Sequence, residues 1–130
     1  MTYEVRDNLL YTKEHEWAEI IDGEAKIGIT DYAQKSLGDI TYLEISVEVG
    51  DEVERGQVLG VVESVKATSD IYAPLSGKVI EINQEVIDSP EIINEDPYGK
   101  GWILRLEIKD EEEKNKLLSP KEYSDIIKED

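Results

Sequence analysis

Through most of this chain apolar and polar positions alternate with a period of two, which predicts short, half-buried β-strands. Leu10-Tyr11-Thr12 and Trp17 to Ile21 flank a polar stretch. Asp22-Gly23-Glu24 is a hairpin-turn signal, and Ala25 to Ile29 resumes the alternation. Thr30 is a candidate N-cap with Asp31 in the first turn, and Gly38 a candidate stop, so a short helix is expected over Asp31 to Leu37. Ile40 to Val49 again reads as strand, with β-branched residues that suit a pleated surface. Its alternation slips near Leu43, the mark of a bulge. The glycines of Val49 to Leu59 suit two tight turns around a short strand.

Gln57 to Glu63 and Thr68 to Tyr72 then read as two strands bracketing Lys66, followed by the turn Ala73 to Gly77 and a strand over Lys78 to Asn83. Asn94 to Gly101 reads as a turn-rich loop and Trp102 to Ile108 as the last strand. From here the pattern turns helical, over 110–128. Asp110 with Glu113, and Ser119 with Glu122, have the spacing of capping boxes, and Pro120 suits a first helical position. Leu117, Leu118, Tyr123, Ile126 and Ile127 supply apolar faces. The runs Gly50 to Glu63 and Ser69 to Ile82 echo one another weakly, each with turns followed by an alternating strand. The expected fold is mainly β, with a short internal helix and C-terminal helices.

Length and composition narrow the chemistry. The chain has 130 residues, which suits a single domain over 1–130. It has no cysteine, which removes disulfides, thiolate metal sites and a cysteine nucleophile. Its one histidine, His15, rules out multi-histidine metal sites. No metal site is expected. The net charge of −17 disfavours nucleic acid and anionic membranes, both of which need clustered Lys and Arg. Encounters with basic patches on protein partners suit it better, as does a simply solvated acidic surface. No run approaches the length of a membrane span. The start lacks a signal or transit pattern, so a cytoplasmic chain is expected, or a processed form in the mitochondrial matrix.

Phosphate-loop and dinucleotide-binding glycine patterns are absent, and His15-Glu16 lacks the second histidine of a zinc-protease helix. Carboxylates are so abundant that no pair stands out as acid and base. What remains is Lys66, between two strands in Glu63-Ser64-Val65-Lys66-Ala67. A lysine in a hairpin is ordinarily a solvated surface residue. It also offers four methylenes and an amine able to form an amide, on a turn flanked by the small apolar Val65 and Ala67. That is the chemistry of a swinging-arm carrier, not of an enzyme.

Glu63 to Ala67 resembles the lipoyl attachment site of the glycine cleavage system H proteins. The resemblance covers nearly the whole chain. His15-Glu16-Trp17, Gly28 to Gln34, Leu37-Gly38-Asp39-Ile40, Glu63 to Asp70, Ala73 to Gly77 and Asn94 to Trp102 are similar to successive motifs of that family, in order and spacing. The resemblance implies a barrel-sandwich hybrid of the lipoyl-domain kind, with lipoate held covalently as N6-lipoyl-lysine on Lys66. It implies a carrier that takes an aminomethyl group from a pyridoxal-phosphate glycine decarboxylase to a folate-dependent aminomethyltransferase. Electrons then pass to a flavin-bearing dihydrolipoyl dehydrogenase. A lipoate-attaching enzyme is a further implied partner. Glu63 and Gly50 resemble positions used in that attachment, with Ser64, Val65 and Ala67 completing the tip; Gly50 serves equally well as a turn glycine. Glu16 and Asp70 resemble the acids of a surface cleft that holds the loaded arm, and read equally as surface acids. Glu14 and Ser36 stand where some relatives have serine and histidine.

Three other readings remain. A lipoyl domain of a 2-oxo-acid dehydrogenase usually has Asp before the lysine and lacks both the His15-Glu16-Trp17 start and the Pro97-Tyr98-Gly99 loop. An H-like lipoyl carrier working in lipoyl relay or another redox pathway would share the same hairpin. An unmodified interaction module would have lost its cargo, against an intact Glu63 to Ala67.

Overall fold

The computed structural model describes residues 2–128. Two antiparallel sheets carry the chain. One has six strands in the order β1-β2-β3-β9-β8-β5, and the other has three in the order β4-β6-β7. The strands are β1 Leu10–Tyr11, β2 Glu16–Ile21, β3 Glu24–Ile29, β4 Ile40–Ile45, β5 Glu52–Val53, β6 Val58–Ser64, β7 Thr68–Tyr72, β8 Gly77–Ile82 and β9 Leu104–Ile108. The mainly β expectation stands. The two runs of the weak echo pair with each other, β6 with β7 and β5 with β8.

Local signals set several boundaries. Asp22 (φ 51°) and Gly23 (φ 79°) are both left-handed, as a two-residue hairpin turn requires, and join β2 to β3 in unbroken register. Helix α1 spans Asp31–Leu37. The Thr30 side chain accepts from the Ala33 amide at its start, and Gly38 (φ 79°) ends it. Helix α4, Pro120–Ile127, opens with a complete Ser119–Glu122 capping box. Strand β4 stops at Ile45, short of the expected Val49. Its register slips between Ile40 and Tyr42, close to the break in alternation.

Two expectations need correction. Asp110 caps a 3₁₀ turn over Glu111–Lys116 by accepting from the Glu112 amide, and Glu113 does not return to close a box. The Glu113 carboxylate instead accepts from the amide (2.8 Å) and hydroxyl (3.0 Å) of Ser76, across the fold. The expected loop Asn94 to Gly101 begins inside a helix, and a second helix forms upstream in a stretch that carried no expectation. In chain order these are α2 (Gln84–Asp88) and α3 (Ile92–Glu95). The Asn94 side chain donates to Gln34 and to the Gly38 carbonyl and accepts from the Ile40 amide, which ties α3 to the end of α1.

The core is in two parts. Aliphatic residues such as Ile27, Leu59, Leu75, Val79, Leu104 and Leu106 fill the space between the sheets. A second cluster of Leu9, Tyr11, Trp17, Tyr98, Tyr123 and Ile127 binds the two ends of the chain together. Tyr11 and Tyr123 stack with ring centroids 4.5 Å apart, and Tyr11 bridges to Leu118 through backbone hydrogen bonds in both directions. Among the described residues no helix is long and apolar enough to cross a membrane.

Candidate functional site

Strands β6 and β7 pair from Val58/Tyr72 to Glu63/Thr68, leaving Val65, Lys66 and Ala67 as the tip. Ser64 organises that tip. Its amide donates to the Ala67 carbonyl at 2.8 Å, and its hydroxyl accepts from the amides of Lys66 (3.3 Å) and Ala67 (3.1 Å). The Val65 amide donates to the Asp39 carbonyl at 3.2 Å, which fastens the tip to the end of α1. The hydroxyl also donates to the Ala67 carbonyl at 3.2 Å, and a short side chain that reaches three backbone groups is a reason for serine at this position. Glu63 is half-buried on β6, and its carbonyl accepts from the Thr41 hydroxyl at 3.3 Å.

Lys66 is exposed and makes no side-chain hydrogen bond or ion pair among the described residues. It lies beside Gly38, where an added Cβ would come 3.6 Å from Lys66 Cε. The amine is thus displayed on a hydrogen-bonded turn with no side-chain partner among the described residues. Val65 next to it is 71% exposed, an apolar side chain that the fold does not use. Gly50 sits between β4 and β5 with φ 100°, a conformation that the turn itself demands of glycine.

Glu16 opens β2 and is almost fully buried, at 1% exposure. Its Oε1 accepts from the Thr12 hydroxyl at 2.6 Å and its Oε2 from the Tyr72 amide at 3.0 Å. Both donors are neutral, and no cation among the described residues pairs with it. Burial therefore dominates and pushes its carboxyl up to about 7; the Thr12 and Tyr72 hydrogen bonds lower it in part, and the charge of Glu14 adds to the rise. Glu16 contributes to a cleft of about 580 Å³ that Tyr11, Thr12, Tyr72, Pro74 and Leu118 also line. This volume is in the range of small-ligand sites.

Strand β7 joins tip and cleft. The run from Thr68 to Tyr72 spans about 13 Å of extended chain. Tyr72 lines the cleft, and Asp70 lies two residues nearer the tip on the same face, exposed and outside the cleft lining. Asp70 thus lies on β7 between the tip and the cleft and Glu16 lines the cleft itself, with no hydrogen bond between the two among the described residues. Glu14 lines the cleft, whereas Ser36 is exposed on α1 and does not. No local pattern marks Thr12 and Tyr72 as the partners of Glu16, because Tyr72 acts through a backbone amide 56 positions away. His15 has a structural place that its sequence neighbours do not announce. Its left-handed backbone (φ 72°) turns the chain into β2, and Nδ1 lies 2.8 Å from the Tyr123 hydroxyl, which also bonds Thr30. Among the described residues no three side chains cluster as a metal site.

The chain is similar over nearly its whole length to proteins of one family. The family model described as "Glycine cleavage H-protein" matches residues 9–130. The glycine cleavage system H protein of Carboxydothermus hydrogenoformans is 55% identical over 126 residues, covering 97% of this chain and 96% of that protein. A probable glycine cleavage system H protein of Pyrococcus abyssi is 56% identical over 128 residues, covering 97% and 94%. The crystal structure of a glycine cleavage system H protein from Mycobacterium marinum superposes with a TM-score of 0.84 at 36% identity, covering 93% of this chain and 97% of that one.

Proposed function

The chain belongs to the glycine cleavage H-protein family, and from that membership we propose that Lys66 is the residue on which it bears its lipoyl group. Members of the family are lipoylated carriers of the glycine cleavage system and not catalysts, and so is this chain. The observation that supports Lys66 is an exposed amine without a side-chain partner, on a hairpin tip that Ser64 and the Asp39 carbonyl hold rigid. That is what an attaching enzyme needs in order to acylate one lysine among many. Ser64, Val65 and Ala67 shape the tip and Glu63 leads into it. Gly50 enters the same recognition surface through the turn that it alone permits.

The dithiolane of a bound lipoyl group supplies the disulfide that accepts the aminomethyl group and electrons. The chain's own residues hold and shield that cargo. Asp70 attracts its ammonium along β7, and the Glu16 carboxylate receives it in the cleft by a charge-assisted hydrogen bond. Thr12 and the Tyr72 amide fix the Glu16 oxygens, and Tyr11, Tyr72, Pro74 and Leu118 keep water from the cargo. The implied partners are the glycine decarboxylase, the folate-dependent aminomethyltransferase, the dihydrolipoyl dehydrogenase and a lipoate-attaching enzyme. The whole chain acts as one carrier domain, since the aromatic cluster joins its two ends. The cytoplasm is the setting in which such partners would be met.

Incubation with lipoate, ATP and a lipoate ligase is expected to add one lipoyl amide to the intact mass, mapped to Lys66 by peptide analysis. No mass gain with a ligase that modifies a control H protein would refute the assignment.

A further inference from the structure

The cleft that ends at Glu16 has a mouth of opposite character to the rest of the molecule. Fourteen Lys and Arg face thirty-one Asp and Glu in this chain, yet Lys13, Arg55 and Lys116 all line this cleft. They come from three separate segments: the turn before β2, the turn between β5 and β6, and the 3₁₀ turn before α4. None of the three forms an ion pair among the described residues, although acids outnumber cations by more than two to one. Glu14 is the one exposed acid in the lining, and the Glu16 carboxylate is buried behind Thr12 and Tyr72. The mouth is therefore a small basic rim on an acidic protein.

An ammonium-bearing cargo gains nothing from these cations, so they serve something that meets the cleft from outside. We propose that the rim of Lys13, Arg55 and Lys116 is a docking patch for an acidic surface on the protein that removes the cargo from the cleft. The inference rests on the carrier reading above. A partner that loads the arm or reoxidises it can meet Lys66 at the exposed tip. A partner that draws the cargo away from Glu16 has to approach the cleft mouth, and carboxylates presented there would pair with the three cations. The same carboxylates would offer the departing ammonium a second anionic partner. Elsewhere the −17 surface repels an acidic partner, so the rim also fixes the orientation of the encounter.

The test uses the full lipoylated chain with Lys13, Arg55 and Lys116 all changed to Gln. A control with Lys78, Lys100 and Lys109 changed to Gln has the same charge change outside the cleft lining. Affinity for the folate-dependent aminomethyltransferase is measured by titration at several ionic strengths, beside KM for transfer and KM for loading by the decarboxylase. The rim variant is expected to bind the transferase about tenfold more weakly at low salt, with a shallower salt dependence. Its KM for transfer should rise in parallel, while kcat and loading stay as in the wild type. Unchanged affinity, or an equal loss in the control variant or in loading, overturns the docking patch. A wild-type chain that the decarboxylase never loads overturns the carrier reading and the patch with it.

Discussion

A Lys66→Arg chain is expected to fold as the wild type does and to support no glycine-dependent exchange of carbon dioxide. The two halves of that expectation have separate causes. Lys66 is exposed and its side chain has no hydrogen bond or ion pair among the described residues, so a change of cation there leaves the core untouched. Its effect on stability should stay within about 0.5 kcal/mol. Chemically the change is complete. A lysine can present a neutral amine to an activated acyl group, whereas a guanidinium stays protonated at every pH the protein survives. No amide forms, and the carrier has nothing to load. Thermal unfolding and the exchange assay read the two halves independently. Exchange that persists in the variant would end the assignment of the carrier role to Lys66.

Glu16→Gln should act in two directions at once. In the unfolded chain this carboxyl ionises near its ordinary value of 4.5, and in the fold it is pushed up to about 7. Between those values the folded protein holds a proton that the unfolded chain has released. Stability therefore falls as pH rises through this window, and the loss is complete above about 7. It amounts to about 3 kcal/mol at pH 8. The amide variant has no charge to bury and should lose this slope, becoming the more stable protein in alkaline solution. Cargo protection changes the other way. Removing the carboxylate deletes a charge-assisted hydrogen bond to the cargo's ammonium, on the order of 1.5–3 kcal/mol, so release of ammonia and formaldehyde should quicken about tenfold or more. The wild type should show the same weakness below pH 7, where Glu16 takes up its proton. Asp70→Asn, on the exposed approach, should quicken release less. Equal release rates in the wild type and the Glu16 variant would refute the pocket assignment.

Much of the fold was legible because its signals are local. Thr30 and Gly38 delimit α1, Asp22-Gly23 turns β2 into β3, and the Ser119–Glu122 box starts α4, each within a few residues. The misses are of another kind. Helices α2 and α3 have five and four residues, too few to develop a helical period. Glu113 has capping-box spacing but makes its hydrogen bonds to Ser76, a preference set by tertiary packing. The site divides along the same line. Lys66 and its serine-held turn lie within one short motif. Glu16 stands out in the sequence, but its burial, its raised ionisation and the cations at the cleft mouth depend on segments that only folding brings together.

The pairing pattern also orders the assembly of the molecule in time. Strands β6 and β7 meet across a three-residue tip, and β4 joins them across a modest loop. Strand β3, by contrast, must find β9, and Tyr11 must find Leu118 and Tyr123, from opposite ends of the chain. Closing short loops costs less entropy than closing long ones, and contacts distant in sequence form more slowly. The hairpin with its lysine can therefore take shape while the termini are still apart, and the cleft, walled by Tyr11, Leu118 and Tyr72, is finished last. A nascent chain would thus expose Lys66, the proposed acylation site, before the cleft proposed to shelter its cargo is complete.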